Sequence, residues 1–496
     1  MSLWLGVSIV TQQTETLLKV GVVIVLLVCA VLGARVWVLV PIMGAMGVPL
    51  LRGFSTAELG QLLFVGFAFL LFCMRRFPIK WRWSHMDWWV LAVVALILQV
   101  YFRNPVGLNI FGGSSVGGKP YFIVALAFIT MAIFGMIRIQ VADLKWVMIG
   151  TIIGGFMSGP LTALRRGGFG GGEGVGGSIE SVAGMTTDTG SATRKGIFIV
   201  PAIMTARIVT AYVSPLMAMV RPMIMFLVLF SVCAAAYTGF RNTVAMVGLI
   251  MLAGIGYHGG KKAMLLSALL GVFGLGVLAV VNLVMPLPAN MQRALSPFPG
   301  TWDERYLQGA DRSTEWRLEM WKAALGTDEW IQNKTLGDGL GMTRAEYEKS
   351  LDIRESGGGT GMSGLTKHQE NAMINGDYHS GPVQTVRTVG YVGLIMFMGA
   401  MIALARYAHQ LILRCKGTPW FPIALFFGIP AVVKPVFFAL IFGEFGTDAA
   451  SFFLGTAMIK MLHANLPVPE YQKSKKSVYI PMVFRDSQTP SDAARA

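Results

Sequence analysis

The chain has few charged residues for its length. Of its 496 residues, 14% are charged and 54% are hydrophobic, whereas soluble domains carry about 25% charged residues. The mean hydropathy is correspondingly high, at +0.60. This composition excludes an ordinary soluble domain and predicts an integral membrane protein.

Cysteine is also scarce. All four cysteines lie within or beside apolar segments: Cys29, Cys73, Cys233 and Cys415. The sequence therefore offers neither a disulfide framework nor the spacing of a zinc site. The first 16 residues lack the basic segment that opens a cleavable signal peptide, so we expect the N-terminus to be retained.

Basic residues outnumber acidic ones, and the formal net charge is +15. They form no continuous arm of the kind that binds nucleic acid, and many of them bracket apolar segments. Positive loops on the cytoplasmic side explain part of the excess, and an anionic ligand such as a lipid phosphate explains part of the rest. We predict no nucleic-acid partner.

Apolar runs of the length that crosses a bilayer, about 20 residues, recur along most of the chain. The predicted spans lie near 57–74, 87–102, 120–137, 144–164, 196–214, 222–239, 243–257, 263–284, 382–405, 420–442 and 447–463. The opening stretch 17–51, which contains Arg35 and Pro41, is either one broken helix or a tight pair. Counted as one crossing, it completes an all-α polytopic membrane protein of about 12 transmembrane helices, which lies in a lipid bilayer.

One long polar insert interrupts the spans and sets the expected domain organisation. Residues 285–381 are too polar to lie in hydrocarbon. We predict nine spans in 1–284, an extracytoplasmic loop domain of short helices in 285–381 and three spans in 382–464. A disordered cytoplasmic tail is expected in 465–496.

Clusters of arginine and lysine orient the spans. Three clusters and the basic tail fall on one side if the spans alternate: 75–82, 261–262, 406–416 and 473–476. The positive-inside rule makes that side cytoplasmic, so the insert faces outward. The outward loop 165–195 contains four basic residues that count against this orientation. Its glycine-rich run 167–177 is interpreted as a flexible linker.

The insert contains a predicted amphipathic helix, DRSTEWRLEMWKAAL at 311–325, with Ser313 or Thr314 as its N-cap. One face of this helix holds Arg317, Met320, Trp321 and Ala324. Trp316 and Trp321 suit a membrane interface, and Arg317 is open to the same interpretation, as a snorkelling arginine. The motif LGDGLGM at 336–342 predicts a turn in which the backbone bends or closely approaches another segment.

Two further residues lie where a span meets the outward face. Pro382 suits the first turn of a helix, which places His379 just outside the membrane. Its imidazole titrates near neutral pH and is able to take a proton from a sugar hydroxyl, although a solvated or capping histidine fits equally well. Arg241 opens a span, and its guanidinium either grips phosphate oxygens or reaches for the interface.

These motifs occur in an order that resembles the bacterial O-antigen ligase and polymerase superfamily. The resemblance rests on GFRNTVAMVGL, DRSTEWRLEMW, LGDGLGM and YHSGPVQTVRTVGYVGL. In that family an arginine opens a span, a helix carries R-x-x-x-W, a glycine turn follows, and a histidine precedes a G-x-x-G-L span. The resemblance covers roughly residues 220–400 by motif and the rest of the chain by span count.

The resemblance implies a polytopic glycosyltransferase of the bacterial cytoplasmic membrane whose catalytic loop is periplasmic. Arg241 and Arg317 would bind the pyrophosphate of an undecaprenyl-linked glycan donor, and His379 would be the base that activates a hydroxyl of a glycan or lipid A–core acceptor, with inversion at the anomeric carbon. Further candidate site residues are His368, Arg312, Asp377 and Arg387. Asp377 is a carboxylate suited to orienting the imidazole.

No Asp-x-Asp or similar carboxylate cluster is placed to hold a metal, so we predict metal independence and no cofactor. Within the family a polymerase or a protein-glycosylating enzyme remains an alternative to a ligase, since only the acceptor differs. A transporter without chemistry is the alternative from another class. Transporters place charges near the midplane, and Lys434, Glu444 and Asp448 leave that alternative open.

Overall fold

The computed structural model describes residues 31–51, 54–75, 83–106, 117–137, 139–168, 196–296, 298, 300–342, 346, 348, 352 and 367–466. Within these ranges the side chains at 34, 50, 51, 163–168, 305–313, 367 and 368 lie outside the description. The predicted tail beyond 466, residues 169–177 of the glycine run and residues 17–30 of the opening stretch therefore fall outside the described residues.

The described chain is built from α-helices. In chain order they are α1 (Leu39–Met46), α2 (Thr56–Cys73), α3 (His85–Arg103), α4 (Lys119–Met136), α5 (Asp143–Gly168), α6 (Ile199–Tyr212), α7 (Pro222–Tyr237), α8 (Arg241–Val284), α9 (Ala289–Leu295), α10 (Glu304–Gly326), α11 (Lys367–Ile374), α12 (Gly381–Cys415), α13 (Phe421–Leu440) and α14 (Phe445–Asn465). A short antiparallel ribbon, β1 (Pro49–Leu51) and β2 (Phe54–Ser55), joins α1 to α2. The predicted all-α class is confirmed.

Seven of the described helices are long and apolar enough to cross a membrane: α2, α3, α4, α5, α8, α12 and α13. Three apolar segments are shorter: Arg35–Met46, Gly196–Tyr212 and Pro222–Tyr237. Helix α14, which carries Asp448 and Lys460, is not among the seven. The number of twelve spans stays a prediction.

Helix α8 joins two segments that the sequence predicted as separate spans. The break lies at Gly260, where φ is 77° and ψ is −173°. Gly260 is the only residue inside α8 that departs from helical geometry. Glycine tolerates this conformation because it adopts positive φ without steric cost. The predicted boundary between 257 and 263 is therefore a one-residue kink rather than a loop.

A half-buried arginine donates to a backbone carbonyl that a proline leaves without its helical partner. Pro430 lies inside α13 and has no N–H to donate to the carbonyl of Phe426, four residues earlier. Arg207 of α6 donates from Nε and Nη2 to that oxygen at 3.2 and 2.9 Å. Its guanidinium also lies 4.1 Å from the centroid of the Phe426 ring. The cation is thus bound to a carbonyl and an aromatic face within the helix bundle.

The glycine motif at 336–342 docks against a second kinked helix. Gly390 breaks α12 with a φ of 73°, which interrupts the helical bonds from Tyr391 to Arg387 and from Val392 to Thr388. The loop supplies partners for all four groups: Asp338 and Gly339 N–H donate to the carbonyls of Arg387 (2.6 Å) and Thr388 (3.0 Å), and Tyr391 and Val392 N–H donate to those of Lys334 (2.8 Å) and Thr335 (3.3 Å). The predicted close backbone approach is confirmed.

This docking requires glycine on both sides. A Cβ at Gly390 would lie 2.1 Å from the carbonyl oxygen of Thr335, and a Cβ at Gly337 would lie 2.4 Å from that of Thr388. Both glycines also have positive φ. The loop is further held by Asn104 Nδ2, which donates to the Asp338 carbonyl at 3.0 Å. The insert is thereby tied to the ends of α3 and α12.

The boundary predicted for the insert helix is wrong. Helix α10 begins at Glu304, so Ser313 and Thr314 lie inside the helix rather than at its N-cap. The preceding residues are mostly good helix formers, and no boundary is needed at Ser313. The predicted inward face is confirmed, since Met320 and Ala324 are fully buried.

Candidate functional site

The predicted site residues Arg241, Arg317, Asp377 and His379 come together where the insert packs on the helix ends. We call this region the insert end of the bundle. A cluster of buried side chains holds α10, α11 and the start of α12 together there: Met320, Ala324, Ile331, Ala372, Met373, Tyr378, Val383 and Val386. This packing fixes the two segments that carry Arg317 and His379.

A tight turn presents His379 between α11 and α12. Gly376 has a φ of +73° and His379 a φ of +50°, a left-handed conformation that histidine adopts more readily than most side chains. The indole N–H of Trp321 donates to the Tyr378 carbonyl at 2.8 Å, which anchors the turn to α10. The turn therefore sets the direction of the imidazole, two residues before α12 begins.

The imidazole of His379 has a carboxylate on one side and aromatic rings around it. Nδ1 lies 3.1 Å from Oδ1 of Asp377. The ring centroid lies 5.8 Å from that of Trp316 and 6.3 Å from that of Phe442. With 23% of the His379 side chain exposed, the ring is accessible to a ligand. In the neutral tautomer with its proton on Nδ1, beside Asp377, the imidazole has an unprotonated Nε2.

Arg241 is positioned by the turn that opens α8. Gly239 has a φ of +73°, and Phe240 N–H donates to the Thr238 hydroxyl at 3.1 Å. The Arg241 guanidinium then donates from Nη2 to the Ser296 hydroxyl at 2.9 Å. Arg241 is therefore held at the first residue of a helix, as the sequence predicted, by a side chain from the segment that follows α9.

Arg317 lies among like charges. Burial lowers the pKa of its guanidinium, the positive charges of Arg241 and Arg293 lower it further, and Asp377 opposes these effects. Its Nε is buried and has no hydrogen-bond partner among the residues that the structure describes. The positive charges of three arginines therefore act on one another here, and such a grouping suits an anionic ligand.

Arg293 is a site residue that the sequence did not reveal. It lies in the short helix α9, between the span that ends at 284 and the insert helix. No motif surrounds it, and its place beside Arg317 follows only from the packing of α9. In the sequence, Arg293 cannot be distinguished from the basic residues that flank spans and set their orientation in the membrane.

Arg387 has a different position from the three arginines. It is buried under the His379 turn, where Nη2 lies 3.4 Å from the Ile374 carbonyl and 3.7 Å from the Glu346 carboxylate. A Cβ at Gly376 would lie 2.7 Å from its Nη1. Arg387 therefore supports the backbone of the turn. The side chains of the other two candidates, His368 and Arg312, lie outside the described residues.

Glu444 also lies at this site, although the sequence singled it out only as a charge between two spans. Burial raises the pKa of its carboxyl to about 7, and the charges of Asp377 and Asp448 add to the increase against a hydrogen bond from Thr447. The Thr447 hydroxyl donates to Oε2 at 3.0 Å. A carboxyl group that is partly protonated at neutral pH therefore interacts electrostatically with Asp377.

Within the described ranges no group of three or more His, Cys, Asp or Glu side chains is arranged to hold a metal ion. Metal independence stays a prediction.

A scan of the sequence against protein-family models gave no match, and neither did a search of curated proteins. The family resemblance therefore rests on the sequence motifs alone.

Proposed function

We propose that the protein is a glycosyltransferase that moves a glycan from undecaprenyl pyrophosphate to an acceptor hydroxyl. The observation that carries this proposal is the cluster of Arg241, Arg293 and Arg317 beside the Asp377–His379 pair. The cluster offers positive charge for a pyrophosphate, and the pair offers a base. An inverting transfer from such a donor needs both groups within one site.

In the proposed reaction His379 acts as a general base. Asp377 accepts Nδ1–H, which keeps Nε2 unprotonated and fixes the orientation of the ring. Nε2 takes the proton of the acceptor hydroxyl as its oxygen attacks the anomeric carbon. The bond between that carbon and the pyrophosphate oxygen breaks, and undecaprenyl pyrophosphate leaves with the electron pair. Attack from the opposite face inverts the anomeric configuration.

The arginines stabilise the leaving group. The pyrophosphate gains negative charge as the glycosidic bond breaks, and positive groups that are already in place lower the energy of that transition state. Arg317 contributes an Nε that lacks a partner among the described residues. A guanidinium is the appropriate donor because its fork of N–H groups matches two phosphate oxygens.

The proposal includes the membrane arrangement: twelve spans, both termini in the cytoplasm and the insert on the outer face of the bacterial cytoplasmic membrane. Basic side chains at the bundle end opposite the insert support it. Arg414 donates from Nη1 to the His463 carbonyl at 3.1 Å, and Lys416 donates to the Tyr257 carbonyl at 2.8 Å. A lipid pyrophosphate at the outer headgroup level then meets Arg241 at the mouth of α8.

The test is transfer by the purified protein in detergent from an undecaprenyl-pyrophosphate glycan to a defined acceptor. His379→Ala is expected to lower the rate by about 10²- to 10⁴-fold, the usual contribution of general base catalysis. His85→Ala removes an exposed histidine from the start of α3 and is the matched control, with a wild-type rate expected. Size-exclusion profiles confirm that both variants are folded.

Two outcomes would contradict the proposal. A wild-type rate for His379→Ala would remove the base from the mechanism. No product from the wild-type protein, in an assay that has no transmembrane gradient, would favour the transporter. Supplying lipid A–core, a second lipid-linked glycan or a protein as acceptor separates a ligase from a polymerase and from a protein-glycosylating enzyme.

A further inference from the structure

Glu444 is an ionisable residue that the proposed reaction does not use. It immediately precedes α14, yet its side chain makes no capping hydrogen bond to that helix. The carboxyl group instead accepts the Thr447 hydroxyl and lies within electrostatic range of Asp377. Phe442, two residues earlier, contacts the ring of His379. The loop that carries Glu444 is therefore part of the wall around the imidazole.

The other charges near Glu444 are already paired. Asp448 of α14 accepts the Glu444 backbone N–H at 3.1 Å through Oδ2. Its Oδ1 lies 2.5 Å from Nζ of Lys434 in α13. The lysine is thus engaged by Asp448, and the negative charge of Asp448 discourages a further negative charge on Glu444. These two helices supply Glu444 with no unpaired cation among the described residues.

Asp377 has the opposite surroundings. Its Oδ1 lies 3.1 Å from Nδ1 of His379, and its charge acts on that of Arg317. Glu444 has no such partners among the described residues, and the negative charge of Asp377 adds to the effect of burial, which raises the pKa of the Glu444 carboxyl.

We propose, as a refinement that rests on the proposed function, that Glu444 is a positioning residue that acts on His379 through Asp377. In its protonated form Glu444 leaves a single negative charge beside the imidazole. Ionised Glu444 would add a second negative charge, which would favour the imidazolium, the form in which Nε2 already carries a proton and cannot act as the base.

The sign of the pH effect follows from this arrangement. Because burial raises the pKa of Glu444 to about 7, its charge develops over the range in which an imidazole titrates. As the pH rises through 7, the growing charge on Glu444 holds a proton on His379. The activity of the wild-type protein should therefore rise with pH more slowly, and at higher pH, than that of a variant with a permanently neutral residue at 444.

The experiment follows the titration of His379 by NMR in the purified full-length protein labelled with ¹⁵N-histidine. The His379 signal is assigned by its loss in His379→Ala. In Glu444→Gln the imidazole is expected to titrate at a pH lower by about 0.5–1 unit, the low end of the effect of a neighbouring charge. Glu329→Gln, which neutralises an exposed glutamate of the insert, should leave the titration unchanged.

Thr447→Val provides a second variant should Glu444→Gln fail to fold. It removes the hydroxyl that favours ionised Glu444, so His379 should again titrate at lower pH, by a smaller amount. The pH–rate profile of Glu444→Gln should shift in the same direction. Its maximal rate should stay within about threefold of wild type, because the base His379 is unchanged and its loss alone would lower the rate by about 10²- to 10⁴-fold.

An unchanged His379 titration in both variants would overturn the inference. Loss of transfer by Glu444→Gln at every pH would also overturn it, because Glu444 would then act on the reacting atoms directly. The NMR measurement needs no substrate. A wild-type protein without transfer activity would therefore contradict the proposed function, and an altered titration would still report the coupling of Glu444 to His379.

Discussion

Two arginines in different regions of the molecule show how the same side chain serves different purposes. Arg207, within the helix bundle, donates twice to the Phe426 carbonyl and lies over the Phe426 ring. Arg317, at the insert end, has a buried Nε without a partner among the described residues and two other arginines nearby. Arg207 is therefore engaged by its neighbours in the bundle, whereas the proposed function assigns the buried donor of Arg317 to a ligand.

Ion pairs in the bundle follow the same rule as Arg207. Lys460 of α14 lies 2.6 Å from Asp87 of α3, and both side chains are buried. Each charge neutralises the other, and removing one would leave the other buried and uncompensated. These charges of the bundle are therefore paired, whereas at the insert end the charges of three arginines act on one another. The proposed function assigns ligand binding to the insert end.

The largest effect is expected for replacement of Arg317, the arginine at the insert end. Arg317→Gln should lower glycan transfer by about 10²- to 10³-fold, as expected when one preorganised donor to a developing anion is lost. The melting temperature should stay the same or rise, because repulsion with Arg241 and Arg293 is relieved. Turnover of the lipid-linked donor and thermal unfolding in detergent measure the two quantities.

Arg406→Gln is the matched control, since Arg406 is exposed on α12, and wild-type turnover is expected. A clear loss of thermal stability in Arg317→Gln without any change in turnover would reverse the assignment and make Arg317 the structural arginine.

A smaller effect is expected where backbone contact holds the site in place. Gly390→Ala should destabilise the protein by about 1–3 kcal/mol through positive φ alone, and its Cβ would also overlap the Thr335 carbonyl. Turnover should fall as well, because α12 begins next to His379. Melting temperature and activity are measured together. Gly271→Ala is the control, since nothing lies within 4 Å of its added Cβ, and it should keep wild-type stability. Wild-type stability of Gly390→Ala would contradict the requirement for glycine at this position.

The smallest effect on turnover is expected for replacement of Arg207, the arginine within the helix bundle. Arg207→Leu leaves the Phe426 carbonyl without its donor, and we expect a destabilisation of about 1–3 kcal/mol, with turnover per folded molecule unchanged. Melting temperature and donor turnover distinguish this result from the one expected for Arg317→Gln. Lost turnover at an unchanged melting temperature would contradict a structural role.

A double-mutant cycle sharpens the same prediction. Pro430→Ala supplies the N–H that Phe426 lacks, so Arg207→Leu should cost about 1 kcal/mol less in the Pro430→Ala background. Strict additivity of the two changes in stability would show that Arg207 acts on something other than this carbonyl.

Several features of the site were predictable because they depend on local sequence. Arg241 opens its helix and Pro382 lies in the first turn of α12, since turn glycines and proline restrict the backbone locally. The buried face of α10 follows from helical periodicity. The glycine motif at 336–342 predicted a close approach of two backbones, although the sequence did not identify α12 as the partner.

Other predictions failed or found no signal because longer-range packing decides them. The start of α10 at Glu304 was missed, since Ser313 is a good N-cap that the helix does not use. Arg293 and Glu444 lie in unremarkable sequence, and each gains its chemistry from neighbours distant in the chain. Arg207 gives no sign of its role until Phe426 and Pro430 are placed beside it.

The sequence by itself determined an all-α chain with membrane-length apolar helices, a polar insert and the backbone turns that present Arg241 and His379. Hydrophobic runs, glycine and proline act within a few residues, so these features are read locally. Only the tertiary structure decided which charges are satisfied and which are not. That distinction depends on the distance between side chains hundreds of residues apart, because a charge buried beside a carbonyl and a charge buried beside other charges look identical in a sequence.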